Sequence, residues 1–584
     1  MLRPIIFISL LISFSKLSAQ TTTLRFQIKL DKPGNSIGLR GNTAPLSWEK
    51  TYPLSDNDAD GIYEADIPFP NLPAGAVIEY KFIQGNANWE TIDNRIYIAD
   101  GKSKTLPEVN WNLPTLLSPA DFPLIAAADI QKDFTIALKA YMEMHPGLYR
   151  YASKETIDAV FINYAAVFNR PMTYADAYLQ FSKMVANIRC GHTYANFYNQ
   201  SPLVKELVFK QRDKLPFCFG IIDRKIIITD NLSGDPRFIP GSEIISINDI
   251  PVSAVLDSLL LVVKADGYND GKRIKDLEVS GLGRFEAFDI YQPLFFPPKS
   301  GAYNIKAKAY GSNDIITASV KPITRDERKK ALNIKEPTND ELWQYKVIDN
   351  NIAYLQLGTF VTWQMKMNWK TFIDKAFADM EQKRIPNLVI DIRNNEGGDD
   401  EVVGYIVRAI ANKEVIVEPA KKMVRYQRID PEIEAYLGSW DDAYKKPAIK
   451  NPVPEDGLYT LNKSGQSLNI SAQKKAYQGR VFLLVNEHNS SATFYLAQII
   501  KNNQLATLVG QTTGGSQRGL NGDQTAFLKL PHSKIELDIP LIGTFYTGKP
   551  DKGIEPDITV THTVQSLVEK RDLEMEKILE LIKQ

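Results

Sequence analysis

From Trp343 to Thr561 the chain alternates short apolar runs with segments of helical spacing, and no other feature constrains its fold as tightly. The runs "NIAYLQLG", "NLVIDIR", "VFLLVNE" and "ATLVG" have strand character, and between them lie the helical patterns "NWKTFIDKAFADMEQK", "DEVVGYIVRAIANK" and "ATFYLAQIIKNN". Strands interleaved with helices predict an α/β layer with partly parallel strands. Ligands of such sheets gather beyond the carboxyl ends of the strands. Two polar turns fall at such ends, "RNNEGGDDE" and "EHNSSA".

The second turn raises the question of a nucleophile. A serine where a strand feeds a helix has its oxygen exposed, and the positive end of the helix favours anionic charge. With Ser491 as nucleophile, the Ala492 amide is the first oxyanion donor. The competing reading is capping, since serine oxygens satisfy the free amides of a first helical turn; Ser490 can do this for Ser491. Neither serine is followed three residues later by Glu or Gln, so no capping box forms. A second donor comes from "DIRNNEGGDD", where Gly398 or Gly397 lets the backbone approach a substrate closely. The same glycine pair also reads as a plain left-handed turn, and without a following Gly-Lys-Ser/Thr it is no phosphate loop.

Five histidines are available as a base: His145, His192, His488, His532 and His562. His145, His532 and His562 sit in helix-end or turn contexts that read as structural. His488 is nearest the serines in sequence, but triads are assembled in space, not along the chain. His192, in "CGHTY", is the other serious choice.

The preceding segments read differently. Residues 20–112 are short alternating stretches broken by turns such as "PGN" and "DNDADG", a small antiparallel β-sandwich by pattern. A linker, "PEVNWNLPTLLSPADFP", leads to helical spacing over 125–200, carried by Ile130, Phe134, Ile136, Leu138 and Tyr141 and again from Tyr174 to Ile188. Strands return over 201–330. There "FIPGSEIISINDIPVSAVLDSLL" has the form of a PDZ-like module, with a strand from Glu243 to Asn248 and a helix from about Val252. Residues 340–562 make up the α/β layer, and 563–584 an amphipathic terminal helix. The whole is a multidomain α+β chain.

Lys+Arg and Asp+Glu both number 69, so no net field draws the chain to nucleic acid or an anionic membrane. Cys190 and Cys218 are the only cysteines, too few for a disulfide scaffold or a Cys-rich zinc site, though one disulfide between them stays open. The start, "MLRPIIFISLLISFSKLSAQ", has Arg3, an apolar run and the small residues Ser18 and Ala19. It reads as a signal peptide spanning 1–19, with Gln20 where a lipid-anchored precursor needs Cys. The expectation is a secreted or periplasmic protein without a membrane anchor.

Two resemblances sharpen these readings. The stretches "LSWEK" and "EYKFIQGNANWETIDNR" resemble the starch-binding modules of glucoamylases and amylases, which implies a sugar site at Trp48, Lys81, Trp89, Glu90 and Asn94 and a starch-like glucan as ligand. The tryptophans also read as simple core or edge packing. Beyond this module, the ordered pieces "CGHT", the PDZ-like module, "DIRNNEGG", "VNEHNSSA", "GQTTGG" and "GIEPDI" resemble the tail-specific, or C-terminal-processing, serine peptidases, in particular their tricorn-core branch. The resemblance implies a core of ClpP/crotonase type, Ser491 as nucleophile and His192 as base. Ser516, in "TTGGSQRG", replaces the lysine that serves as base in the processing branch. Gly191 stands where the tricorn branch has a serine, and the acid that orients the histidine falls on Asp551, favoured over Glu555 and Asp523.

These features predict a serine endopeptidase that cleaves peptide or protein substrates through an acyl-enzyme, with no metal or organic cofactor. The alternative is a non-catalytic binding protein that uses the same fold as a scaffold and holds polysaccharide with its N-terminal module. A glycoside hydrolase is disfavoured because no pair of acids is placed for it.

Overall fold

The computed structural model describes residues 21–30, 36–113, 117–462 and 469–583, which form two compact units divided at Leu117 and Ser118. The signal-peptide reading concerns residues 1–19 and lies outside the described residues.

In the first unit, strand alternation of period two sends every second side chain inward. Thr21–Lys29 pairs antiparallel with Ile62–Pro70, and a second sheet centres on Val77–Gln84, with Ile37–Gly41 on one side and Asn88–Trp89 and Arg95–Ile98 on the other. Leu24, Phe26 and Ile28 meet Ile37, Leu39, Ile78, Tyr80 and Phe82 in one core. The unit is not wholly antiparallel: Lys104–Thr105 and Val109–Asn110 run parallel to the first strand, because the chain returns to that edge by a crossover and not by a hairpin.

The second unit opens with helices Ala127–Met144, Lys154–Val167 and Tyr174–Ala186. The middle one escapes the sequence reading because it buries only Ile157 and Phe161, too thin a stripe to show a period. An antiparallel sheet follows in the order Phe217–Ile222, Lys225–Asn231, Glu243–Ile247, Tyr303–Lys308, Ile315–Val320. Helix Val252–Leu259 buries Val252, Val255, Leu256 and Leu259.

The α/β layer carries the site. Its sheet runs Trp343–Ile348, Ile352–Leu357, Asn387–Asp391, Arg480–Val485, Thr507–Gly510, Ile558–Thr559, parallel throughout except for the first pair. Val481, Leu483 and Val485 face helices Trp369–Lys383, Asp400–Ile410 and Ser491–Asn503 on one side. Phe482 and Leu484 face the terminal helix Leu573–Lys583 on the other, through Ile578. A feature the sequence reading did not separate is a second sheet, built on the hairpin Asn521–Lys529 and Glu536–Phe545 with Lys421–Val424 along its side. Cys190 and Cys218 are both free and buried. Among the described residues no helix is long and apolar enough to cross a membrane.

Candidate active site

Strands Asn387–Asp391 and Arg480–Val485 are parallel neighbours, with Asp391 opposite Leu484, so their turns emerge side by side. Asparagines stitch those turns together. Asn489 receives the Asn486 amide and donates to the carbonyls of Ile392 and Asn395. Asn486 accepts from the Asn394 amide, and Thr493 donates to the Asn395 carbonyl. The sequence reading passed over these asparagines.

On this platform Ser491 opens its helix with φ = 52°, a left-handed conformation rare for a residue with a side chain. Ser490 holds the N-cap position, but its hydroxyl makes no cap bond and donates to the Glu396 carbonyl instead. The capping role read for Ser490 is therefore corrected. His192 is carried on the turn that follows helix Tyr174–Ala186. Its Nε2 lies 3.3 Å from Ser491 Oγ, across 299 residues of sequence.

The glycine turn separates two residues that the sequence treated as alternatives. The Gly397 amide is spent on Asn395 Oδ1 at 2.9 Å, which removes it as an oxyanion donor. Gly397 still matters sterically, since a Cβ there meets Ser491 Cβ at 2.8 Å and the Ala492 nitrogen at 3.0 Å. Gly398 lies beside Phe360, whose carbonyl accepts from Asp399, and no hydrogen bond from the Gly398 or Ala492 amide is found among the described residues.

The remaining histidines have other partners. His488 Nδ1 lies 3.0 Å from Asn394 Oδ1 and its Nε2 3.3 Å from Asp276, which turns the ring away from its neighbouring serines. His145 Nε2 contacts Thr193 Oγ1 at 2.8 Å, and burial, aided by Arg425 and Arg150, pushes its pKa down to about 3. His532 faces Asp129, and His562 pairs with Glu574 at 2.8 Å.

Asp551 is not brought to His192. Its carboxylate accepts from Ser516 Oγ at 2.9 Å and from the Tyr268 amide at 3.1 Å, so it braces the turn 266–268. Asp523 pairs with Lys422, and Glu555 with Lys552 at 2.9 Å. The carboxylate that does reach the histidine's turn is Asp266, which accepts from the Gly191 amide at 3.0 Å. Cys190 Sγ, a ring nitrogen of His192 and an Asp266 oxygen lie within 4.8 Å of one another. Asp56, Asp58 and Asp60 form a similar cluster in the first unit, where Asp56 and Asp60 accept amides of their own loop. Burial holds His192 below its ordinary pKa, and Asp266 opposes that.

In the first unit, Trp48 and Trp89 come together with ring centroids 6.4 Å apart, and Arg40 lies 5.1 Å from the Trp89 ring. Lys81 is half-buried on the strand facing Arg40, and Asn94 turns its amide toward Glu79 at 3.5 Å. Glu90 is not available to a ligand: it is 2% exposed, paired with Arg95 at 2.6 Å, and accepts the amides of Phe82 and Asn112. The resemblance implied a sugar contact there, but the Arg95 pair and these two amides hold the carboxylate inside.

Comparison with known proteins bears on this arrangement. Residues 351–560 match the model of peptidase family S41. That span covers both polar turns and the helix of Ser491, and the S41 match supports a serine peptidase. No curated protein matches the chain. Among solved structures, mature CPAF complexed with lactacystin is 12% identical with a TM-score of 0.53, over 78% of this chain and 98% of that one. Mature CPAF alone gives 11% and 0.52, over 78% and 97%. A putative peptidase from Parabacteroides merdae ATCC 43184 gives 15% and 0.39, over 77% and 96%. At these identities the CPAF likeness is one of fold, and it extends beyond the S41 match to most of the chain.

Proposed function

We propose that this chain is a serine endopeptidase of the tail-specific type, acting outside the cytoplasm, with Ser491 as nucleophile and His192 as base. The observation that carries the reading is the 3.3 Å contact between Ser491 Oγ and His192 Nε2, beside the unpaired amides of Ala492 and Gly398. Ser491 Oγ attacks the scissile carbonyl carbon while its proton passes to His192 Nε2. The carbonyl oxygen becomes an oxyanion between the Ala492 and Gly398 amides, donors fixed before reaction starts. Collapse breaks the C–N bond, the departing amine takes the proton from Nε2, and an ester to Ser491 remains. Water repeats the sequence: it gives its proton to His192, attacks the ester carbon, and Ser491 leaves with that proton. This acyl transfer needs no metal or organic cofactor.

The antiparallel sheet of 217–320 is read as PDZ-like. Its edge strand Ile315–Val320 alternates exposed and buried residues, the form needed to add an extended peptide as a further strand. The test is labelling with a fluorophosphonate probe. A labelled chain is expected, with label and peptide hydrolysis both lost in Ser491→Ala; label that persists in that variant rejects the assignment.

For the first unit we infer a carbohydrate-binding β-sandwich that takes a glucan chain on Trp48 and Trp89. The paired half-buried indoles favour it, because aromatic faces cover the apolar faces of sugar rings. Lys81 and Asn94 remain as polar neighbours.

A further inference from the structure

We propose that Asp266 is the carboxylate that positions His192 and stabilises its protonated form. This rests on the Ser491–His192 reading and deepens it. Among the described residues, His192 Nδ1 and Asp266 Oδ2 are both buried without a hydrogen-bond partner. They belong to residues whose ring nitrogen and carboxylate oxygen lie within 4.8 Å of each other. Buried polar atoms without partners are rare, and two on residues this close leave one donor and one acceptor unmet. With Nε2 turned to Ser491, the neutral tautomer that accepts the serine proton carries its hydrogen on Nδ1. That N–H needs an acceptor, and the imidazolium formed during catalysis needs an anion. Asp266 is both, with a carboxylate oxygen within 4.8 Å of a ring nitrogen of His192, a gap that one water spans.

The surroundings hold the carboxylate in place. Asp266 is 1% exposed, its Oδ1 takes the Gly191 amide, and the next amide, Gly267, donates to the Arg189 carbonyl. Asp551 fixes the same turn through the Tyr268 amide. Gly191 leaves the room: a Cβ there sits 2.9 Å from Asp266 Oδ2. The other groups that face His192 are Lys264 and Lys272, which disfavour its protonation, Asp523, which favours it while paired to Lys422, and the buried Cys190 thiol.

The test uses the full chain with its five histidines labelled at Cε1, the His192 signal being assigned by its loss in His192→Ala. In Asp266→Asn the His192 titration midpoint is expected to fall by about 1 pH unit or more, as for removal of an opposite charge at this range. The acid limb of kcat/KM moves to lower pH with it, and kcat falls by about 100-fold. Gly191→Ala displaces the carboxylate without removing its charge, and the same signal is expected to shift. An unmoved His192 titration in both variants overturns the proposal, even where Asp266→Asn lowers Tm. Because the titration does not depend on turnover, it stands apart from the Ser491→Ala labelling result, whose failure rejects the serine peptidase reading itself.

Discussion

At the scale of single residues, burial decides which histidine does what. His145 lies wholly inside the protein against Thr193, the residue after His192, and cannot take up a proton there until its pKa of about 3 is reached. An unfolded chain binds that proton near pH 6.5. The unfolded state therefore holds more protons between these values, so this histidine's contribution is fully present above pH 6.5 and is lost as pH falls toward 3. His145→Gln keeps a polar group beside Thr193 without the titration. Its Tm is expected to fall less steeply than that of the unaltered chain between pH 6.5 and 4, as scanning calorimetry across that range can determine. Ser491 and His192 were paired through the resemblance to the tail-specific peptidases, since 299 residues of sequence separate them, and the fold sets them 3.3 Å apart. Asp266 left no such mark: "KADGYND" reads as an ordinary turn, and only the fold brings it to Gly191. Glu90 shows the opposite error, a polar neighbour of Trp89 that is buried against Arg95.

Elements explain why the site is held so firmly. The two polar turns are tied by the Asn489 side chain, which is wholly buried and bonds one amide and two carbonyls. Asn489→Ala strands those groups, and leaving buried partners unsatisfied costs about 1–3 kcal/mol. Chemical denaturation is expected to report a loss of that size, and fluorophosphonate labelling of Ser491 to slow, since Asn395, which holds the Gly397 amide, loses its bond from Asn489. A loss of stability with labelling unchanged separates folding from catalysis and removes Asn489 from the support of the site. The strands of the α/β layer were readable because, covered on both faces, they are continuous apolar runs. The second sheet was not: hairpin Asn521–Lys529 and Glu536–Phe545 mixes polar residues with apolar ones, and a β-bulge between Gly522 and Thr525 breaks its alternation. Yet this hairpin closes the site, since the Tyr194 carbonyl accepts from the Asp538 amide and Gly522 lies beside the His192 ring.

On the scale of the whole molecule, the two units have separate means of stability. Every residue of the first unit's core lies between Leu24 and Val109, and those of the α/β core between Trp343 and Ile554. A core that draws only on its own segment is the mark of a domain able to fold alone. Residues 118–584 contain Ser491, His192, Asp266 and every element that positions them, and none of the tryptophan pair. Expressed without the first unit, they are expected to label with fluorophosphonate at the rate of the full chain and to unfold at the same temperature as its second unit. The full chain is expected to be retained by an insoluble glucan, with retention lost both on that deletion and in Trp89→Ala, where hydrolysis of a soluble peptide stays unchanged. Retention that survives Trp89→Ala removes the sugar site from the indole pair without touching the peptidase reading. Slower labelling of the shortened chain would show instead that the first unit supports the catalytic one, because no side chain of the proposed mechanism is missing from residues 118–584.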